Sequence, residues 1–236
     1  MIELNADIGE GYDDASLMPY LARVSIACGG HAGDVDSMAA ALRLAGEYGL
    51  AIGAHPSYPD RPNFGRLALA ATTTDIMGWV TQQIEVLAEQ AARQGLRLAH
   101  VKPHGALYNT AAVDPEVAQA VARAVAACDP TLLLVGLSGA CLIEAGRAAG
   151  LGVLNEAFAD RHYHANGQLV SRETAGAVLT DPVAAASRAR SLAMGAGVTT
   201  LEGGTLQLVA DTLCLHSDTP NALNIAQAVH AALNRG

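Results

Sequence analysis

Short apolar runs alternate with alanine-rich segments of helical length along nearly the whole chain. Strands that alternate with helices pair in parallel, because each return to the same edge of a sheet needs a crossover helix. About seven strands in a chain of 236 residues fit a closed parallel β/α barrel slightly smaller than the eight-stranded type, and a doubly wound open sheet is the alternative. The strand candidates are Ile2–Leu4, Val24–Ala27, Ala51–Ala54, Arg97–Val101, Thr131–Val135, Gly152–Leu154, Thr205–Val209 and Thr212–Leu215.

The intervening helices carry start and stop residues. Asp114-Pro115 and Asp181-Pro182 each place a capping carboxylate before a proline at the first helical position. Gly49, Gly95 and Gly150 each follow a predicted helix, where glycine is typical of the C-terminal stop. The helix candidates are Asp36–Tyr48, Thr74–Gln94, Pro115–Ala127, Gly139–Ala149, Pro182–Met194 and Pro220–Asn234.

Composition and charge exclude several classes of protein. A hydrophobic fraction of 51% is incompatible with a disordered chain. A formal net charge of −9 argues against nucleic-acid binding and against an anionic membrane surface. No linker or low-complexity tract interrupts the strand–helix alternation, so we predict a single β/α-barrel domain over residues 1–236.

Targeting signals and cysteine spacing predict a cytoplasmic protein. No uninterrupted apolar run approaches the roughly 18 residues of a membrane span, and the first residues lack the basic and apolar stretches of a signal peptide. Cys28, Cys128, Cys141 and Cys214 are widely spaced, which favours buried thiols over a disulfide framework or a zinc knot.

Polar and ionisable residues follow most of the predicted strands. The loops at the carboxyl ends of parallel strands lie at one end of the fold, where α/β proteins bind their ligands. A single histidine after a strand is more often a structural group, but here most strand ends carry ionisable residues, so we predict one shared polar cleft. The segments are Asn5–Gly11, Cys28–Asp34, His55-Pro56, Lys102–Gly105, Glu156–Arg161 and His216–Pro220.

Lys102 is the only lysine among the 14 cationic residues. It follows the apolar run Leu98–Val101 and precedes Pro103, which restricts its backbone. An ammonium group is a compact cation that can contact an oxyanion or a phosphoryl group. We therefore predict that Lys102 lies in the cleft rather than reaching from a strand end to solvent.

The residues leave two chemistries open. His31, His55 and His104 with Asp7 can form a divalent-metal site, because imidazole and carboxylate suit Zn, Mn or Ni, although no short histidine spacing supports it. The other chemistry is metal-free, with His104 and Asp7 moving protons and Lys102 stabilising negative charge. The sequence contains neither the Gly-x-Ser-x-Gly of a serine hydrolase nor the common glycine-rich phosphate loops.

Six regions of the chain together carry a family likeness. They are Leu4–Gly11, Ile26–Asp34, Gly53–Asp60 with Phe64–Arg66, Val101–Asn109, Glu156–Arg161 and Cys214–Pro220. In this order they resemble the LamB/YcsF family, whose members are the A subunits of bacterial ATP-dependent 5-oxoprolinase. The resemblance covers nearly the whole chain and implies a distorted TIM-like barrel with seven parallel strands, akin to the polysaccharide-deacetylase superfamily.

The resemblance also implies a function. It implies ring opening of 5-oxo-L-proline to L-glutamate with hydrolysis of ATP as co-substrate, in a complex with partner subunits B and C. It does not decide whether a divalent cation is bound. The charge and hydropathy above already predict that neither nucleic acid nor a membrane is a partner. The implied catalytic residues are Asp7, His55, Lys102 and His104. The implied substrate-binding residues are Glu10, His31, Arg66, Glu156, Asp160, Arg161 and His216.

The lactam chemistry suggests individual roles. Lys102 would face the phosphorylated oxygen, Asp7 or His55 would activate water, and His104 would protonate the leaving nitrogen. Arg161 or Arg66 would grip the substrate carboxylate. The competing hypotheses are a metal-dependent amidohydrolase or deacetylase that acts alone, and a non-catalytic subunit that only binds the substrate.

The chain departs from the family pattern at a few positions. Gly30 replaces the usual phenylalanine, so a wider mouth is expected if that position faces the pocket. The other departures are Ala6 for cysteine, Ser57 and Ser217 for glycine, and Leu67 for a second arginine.

Overall fold

The computed structural model describes residues 2–234 and contains a closed barrel of seven parallel strands. The last barrel strand pairs with both the first and the sixth, which closes the sheet. The predicted barrel is therefore confirmed, and the open-sheet alternative is excluded. The barrel strands are β1 Glu3–Ile8, β2 Arg23–Ala27, β3 Ala51–His55, β4 His100–Val101, β5 Leu133–Leu137, β6 Val153–Phe158 and β9 Thr212–Leu215.

Helices surround the barrel and begin at the predicted caps. Asp114 accepts hydrogen bonds from the backbone N–H groups of Glu116 and Val117, and Asp181 caps its helix in the same way. Gly49, Gly95 and Gly150 all have positive φ, as the stop positions require. The helices are α1 Val35–Glu47, α2 Thr73–Arg93, α3 Gly105–Val113, α4 Pro115–Cys128, α5 Cys141–Ala148, α6 Pro182–Ala193 and α7 Ala222–Leu233.

The largest differences from the sequence-based prediction are helix α3 and an antiparallel pair of strands outside the barrel, and the predicted strand Arg97–Val101 is extended only at His100–Val101. Helix α3 was not predicted, because the segment after Lys102 has the proline and glycine of a turn; burial of Leu107 and Ala111 stabilises it. The predicted strand Thr205–Val209 is wrong in length and position. Only Thr205–Leu206 (β8) is extended, and it pairs antiparallel with β7 (Val198–Thr199) outside the barrel.

The barrel interior is polar, and the apolar core lies between the barrel and its helices. The Asn5 amide donates to the Thr212 hydroxyl at 2.8 Å, and the Ser25 hydroxyl lies 3.3 Å from His100 Nε2 on a strand that does not neighbour its own. Because side chains alternate along a strand, the buried Leu4 of β1 faces the helices instead.

The four cysteines form no disulfide, as predicted, but the predicted burial is found for only two of them. Cys28 and Cys214 are buried, whereas Cys128 and Cys141 are half-buried. Within residues 2–234, none of the helices combines the length and the apolar character needed to cross a bilayer. The single-domain prediction for 1–236 also includes Met1, Arg235 and Gly236, which lie outside the described residues.

Gly53→Ala is expected to lower the free energy of unfolding by about 1–3 kcal/mol, the usual cost of overpacking. A Cβ atom at Gly53 would overlap the buried ring of His100, its register partner on β4. Urea denaturation measures the change. Gly78→Ala, on the exposed face of α2 with open space around it, is the control and should gain about 0.5–1 kcal/mol. Equal stability of wild type and Gly53→Ala would contradict the packing described here.

Candidate functional site

A cavity of about 420 Å³ opens at the carboxyl ends of the barrel strands. The predicted shared cleft therefore exists, and it contains side chains from distant parts of the sequence. The predicted site residues that line it are Asp7, Glu10, His55, Arg66, Lys102, His104, Arg161 and His216. His31, Glu156 and Asp160 lie behind this lining and contact residues that belong to it.

The Lys102 ammonium lies between the carboxylates of Asp7 and Glu156, and we call these three groups the charged floor of the cavity. Its Nζ lies 3.0 Å from Asp7 Oδ1 and 2.8 Å from Glu156 Oε1. It also lies 3.3 Å from Asn5 Oδ1 and 3.2 Å from Cys214 Sγ. Lys102 follows β4, whose neighbours are β3 and β5, so these contacts with β1, β6 and β9 cross the barrel interior. One cation therefore joins strands from opposite sides of the barrel.

The pKa values of Lys102 and Asp7 depend on their burial and on the charged groups around them. Burial alone would lower the pKa of Lys102, but Asp7, Cys214 and Glu156 raise it well above its usual value. Burial likewise works to raise the pKa of Asp7, but His55 and Lys102 outweigh it and the pKa is lowered. Lys102 is therefore a permanent cation and Asp7 a carboxylate at neutral pH.

Three imidazoles and a carboxylate form the adjoining wall. Glu10 Oε1 lies 2.9 Å from His31 Nε2, 3.3 Å from His104 Nδ1 and 3.7 Å from His55 Nε2. His55 Nε2 lies 3.0 Å from His104 Nδ1 and 3.4 Å from Asp7 Oδ2. The predicted convergence of Asp7, His55, Lys102 and His104 is thus a property of the structure.

Backbone carbonyls fix the orientation of two of these rings. His55 Nδ1–H donates to the Lys102 carbonyl at 2.7 Å, and His104 Nε2–H donates to the Phe64 carbonyl at 2.9 Å. Burial lowers the pKa of His55 to about 3, so this ring is neutral at physiological pH. Both rings therefore turn their other nitrogen toward Glu10.

The loop Phe64–Arg66 covers the imidazoles. A Cβ atom on Gly65 would come within 2.8 Å of His31 Cβ and 3.0 Å of His104 Cδ2, so only glycine allows this close approach. The Gly65 carbonyl accepts a hydrogen bond from the Ala106 N–H at the start of α3. The glycine between Phe64 and Arg66 is therefore a packing requirement of the site.

His216 and Asp160 form the opposite wall. His216 Nδ1 lies 2.8 Å from Asp160 Oδ2, and the Thr219 hydroxyl donates to the same oxygen. Burial would raise the pKa of Asp160, but His216 lowers it below the usual value. With the carboxylate on Nδ1, His216 Nε2, which lies 3.9 Å from Cys214 Sγ, is the ring nitrogen left for proton transfer. The predicted role of His104 as the acid stays a prediction, and the contacts of both its ring nitrogens argue against it.

The arginines around the cavity differ in their partners. Arg66, half exposed, pairs with Asp218 at 3.0 Å, and Arg172 pairs with the same carboxylate at 2.8 Å. Arg161 is buried and donates to the Val170 carbonyl, and no acidic oxygen of the described chain lies within ion-pair distance of its guanidinium. Arg161 is therefore the better placed of the two predicted arginines to bind an anion inside the cavity.

The sequence matches the LamB/YcsF family over residues 2–236. The chain belongs to this family. A protein from Chloroflexus aggregans that is named as the A subunit of 5-oxoprolinase is 48% identical, over 98% of this chain and 94% of that protein. One of the same name from Heliobacterium modesticaldum is 45% identical with the same coverage. The crystal structure of the lactam utilization protein from Thermus thermophilus matches with a TM-score of 0.92 at 43% identity, over 99% of this chain and 96% of that one.

Sequence reasoning missed several residues of the site. Tyr108 donates to Glu156 Oε2 at 2.8 Å, and burial beside that carboxyl raises the Tyr108 pKa well above its usual value. Asn5 and Cys214 were assigned no role, although both contact Lys102. The segments that resemble the family contain Asn5, Tyr108 and Cys214, so this resemblance is the sequence feature that could have identified all three as site residues. Arg172 lies in an irregular segment with no such signal.

Gly30 does not face the pocket, so the wider mouth expected in that case does not arise. A Cβ atom on Gly30 would overlap the side chains of Gln83 and Ser57 rather than enter the cavity. The Gln83 amide, on α2, binds both the N–H and the carbonyl of Ser57, at 3.0 Å and 2.8 Å. Gly30 therefore makes room for a buried amide contact, and Ser57 belongs to the same arrangement.

Lys102→Met is expected to lower the free energy of unfolding by about 3–5 kcal/mol, because Asp7 and Glu156 stay buried without their cation. The loss should be larger at about pH 8 than at about pH 5. In the variant, burial without the cation raises the pKa of the Asp7 carboxyl above its unfolded value, so the folded state loses stability as the pH rises through that range. Urea denaturation at both pH values measures the effect.

The double variant Lys102→Met with Glu156→Gln is the matched control. It removes one unpaired carboxylate while keeping an oxygen acceptor for the Tyr108 hydroxyl, so part of the lost stability should return. Unchanged stability of Lys102→Met at both pH values would show that the ammonium does not hold the floor together.

Proposed function

We propose that this chain is the A subunit of an ATP-dependent 5-oxoprolinase, which opens the lactam of 5-oxo-L-proline to L-glutamate in a complex with subunits B and C. The names of two relatives at 48% and 45% identity support the assignment. The observation that carries it within the fold is a cavity of about 420 Å³ lined by Asp7, by His216 oriented through Asp160, and by a buried Arg161 without a carboxylate partner among the described residues. Such a set suits a small substrate with a carboxylate and an amide.

The reaction needs energy because a five-membered lactam is an unstrained, resonance-stabilised amide. In the proposed route the γ-phosphoryl group of ATP passes to the lactam oxygen and ADP leaves. Water then adds to the activated carbon, the C–N bond breaks, and the ring nitrogen takes a proton to give γ-glutamyl phosphate. A second water releases phosphate and glutamate. The sequence has no common phosphate-binding loop, so we assign ATP to a site completed by the partner subunits.

We assign substrate binding and the proton transfers that follow phosphorylation to individual residues of the cavity. Asp7 serves as the base for water, since Lys102 holds it ionised. His216, oriented by Asp160, protonates the leaving nitrogen. Arg161 binds the substrate carboxylate. Lys102 has Asp7, Glu156, Asn5 and Cys214 around its ammonium, so we propose that it acts through Asp7 as a positioning residue.

Glutamate release is expected only when this chain, its B and C partners, 5-oxo-L-proline and ATP are all present. A coupled glutamate assay with each component omitted in turn measures this. Asp7→Asn in the complex should lower kcat by about 10²–10⁴-fold, the usual contribution of acid–base catalysis. Glutamate release without ATP would overturn the proposal, and a normal kcat with weakened substrate binding in Asp7→Asn would favour a non-catalytic binding role.

Arg161→Lys is expected to raise the KM for 5-oxo-L-proline about 10–100-fold, because a hydrogen bond to a charged group contributes about 1.5–3 kcal/mol and an ammonium cannot grip a carboxylate in two places. Arg66→Lys is the matched control, since Arg66 is half exposed and already paired with Asp218. Steady-state kinetics of both complexes, with thermal unfolding to check folding, test the assignment. An equal rise in KM for the two variants would contradict it.

A further inference from the structure

Three side-chain atoms meet at one point of the imidazole wall. His55 Nε2 and His104 Nδ1 lie 3.0 Å apart, and Glu10 Oε1 lies 3.7 Å from the first and 3.3 Å from the second. Glu10 and His104 line the cavity, and His55 is buried beside them. Glu10 follows β1, His55 is the last residue of β3 and His104 follows β4, so the meeting is a product of the tertiary fold.

When both rings are neutral, no hydrogen lies between the two facing nitrogens. A carbonyl oxygen only accepts hydrogen bonds, so the Lys102 carbonyl places the ring hydrogen of His55 on Nδ1. The Phe64 carbonyl places the ring hydrogen of His104 on Nε2 in the same way. In neutral rings the facing nitrogens then carry lone pairs, which repel each other at this distance. A cation between the two nitrogens would accept both lone pairs, so the repulsion would be replaced by two coordination bonds.

We propose that Glu10 Oε1, His55 Nε2 and His104 Nδ1 form a binding site for a divalent transition-metal ion, with Zn²⁺ as the expected ion. Nitrogen and oxygen ligands at about 2.0–2.1 Å around a tetrahedral Zn²⁺ are about 3.3 Å apart. The spacings of 3.0, 3.3 and 3.7 Å lie around this value. The ring planes of His55 and His104 are inclined by 83°, so both lone pairs can point to one centre.

His31 is a positioning residue and not a ligand. Its ring is parallel to that of His104 within 3°, at 3.6 Å between centroids, so one ion cannot lie in both ring planes. His31 Nδ1 is buried and has no hydrogen-bond partner, which places the ring hydrogen on Nε2, where it donates to Glu10 Oε1 at 2.9 Å. His31 therefore orients the carboxylate, as outer partners of metal ligands commonly do.

Asp7, whose Oδ2 is 3.4 Å from His55 Nε2, lines the open cavity beside the three ligand atoms, so a fourth ligand would enter from that side. A bound Zn²⁺ with an open position supplies a Lewis acid for water, a carbonyl oxygen or a phosphoryl oxygen. The site is a property of this chain alone and does not depend on the proposed lactam chemistry or on partner subunits.

Metal binding to the isolated chain tests the site directly. After treatment with a chelator, the chain is dialysed against Zn²⁺ and its metal content and affinity are measured, and Co²⁺ is used as a spectroscopic probe. We expect one Zn²⁺ per chain and the intense visible absorption of tetrahedral Co²⁺. His55→Gln and His104→Gln should each weaken Zn²⁺ binding by at least about 100-fold, and His31→Gln, which keeps a donor for Glu10, by about 10-fold.

His164→Gln is the matched control, because His164 pairs with Glu202 at 2.8 Å on the surface, away from the cavity. Its Zn²⁺ affinity should equal that of the wild type. Thermal unfolding of the metal-free proteins shows which variants fold. If a variant does not fold, the Zn²⁺ stoichiometry and the Co²⁺ spectrum of the wild type still test whether the site exists. Less than stoichiometric Zn²⁺ on the folded wild type, or an equal loss in His164→Gln, would overturn the site. A loss in His31→Gln as large as in His55→Gln would overturn the role given to His31.

Discussion

The buried ammonium of Lys102 is the contact on which the site depends. Its Nζ lies within 3.0 Å of both Asp7 on β1 and Glu156 on β6, and neither strand is a neighbour of β4, which Lys102 follows. An isolated charge in this interior would be very unfavourable, and two carboxylates without a cation would be worse. Together they keep a polar barrel interior folded and keep Asp7 ionised at the floor of the cavity. The apolar stabilisation comes from the layer between barrel and helices, which leaves the interior available for chemistry.

Backbone carbonyl groups orient the imidazoles that lie next to the charged floor. The Lys102 carbonyl receives His55 Nδ1–H, so the residue that supplies the central cation also orients the imidazole above it. The Phe64 carbonyl orients His104, and Gly65 lets that loop approach closely enough to do so. The ring orientations are therefore set by main-chain geometry, which is stiffer than a side-chain contact. This preorganisation is what a reactive or metal-binding wall requires.

The sequence was most informative where local physics decides the outcome. The strand–helix alternation, the caps at Asp114 and Asp181, and the ionisable residues after the strands predicted the barrel and the convergence of its polar side chains. The rest depends on contacts between distant residues. Helix α3 is stabilised by burial, the β7–β8 hairpin forms outside the barrel, and Gly30 faces Gln83 rather than the cavity. No local sequence pattern predicts these three features. The roles of individual site residues could not be predicted either, because they depend on which side chains contact each other in the folded structure.

The most direct test of this account uses the fact that Lys102 is the only lysine in the chain. Selective ¹³C and ¹⁵N labelling of lysine gives one side-chain signal, which can be followed by NMR through a pH titration without further assignment. With Asp7 and Glu156 against the ammonium, the signal should keep its charged position beyond pH 10.5, the ordinary lysine value, for as long as the protein stays folded. A folded protein whose lysine titrates at or below that value would contradict the central contact.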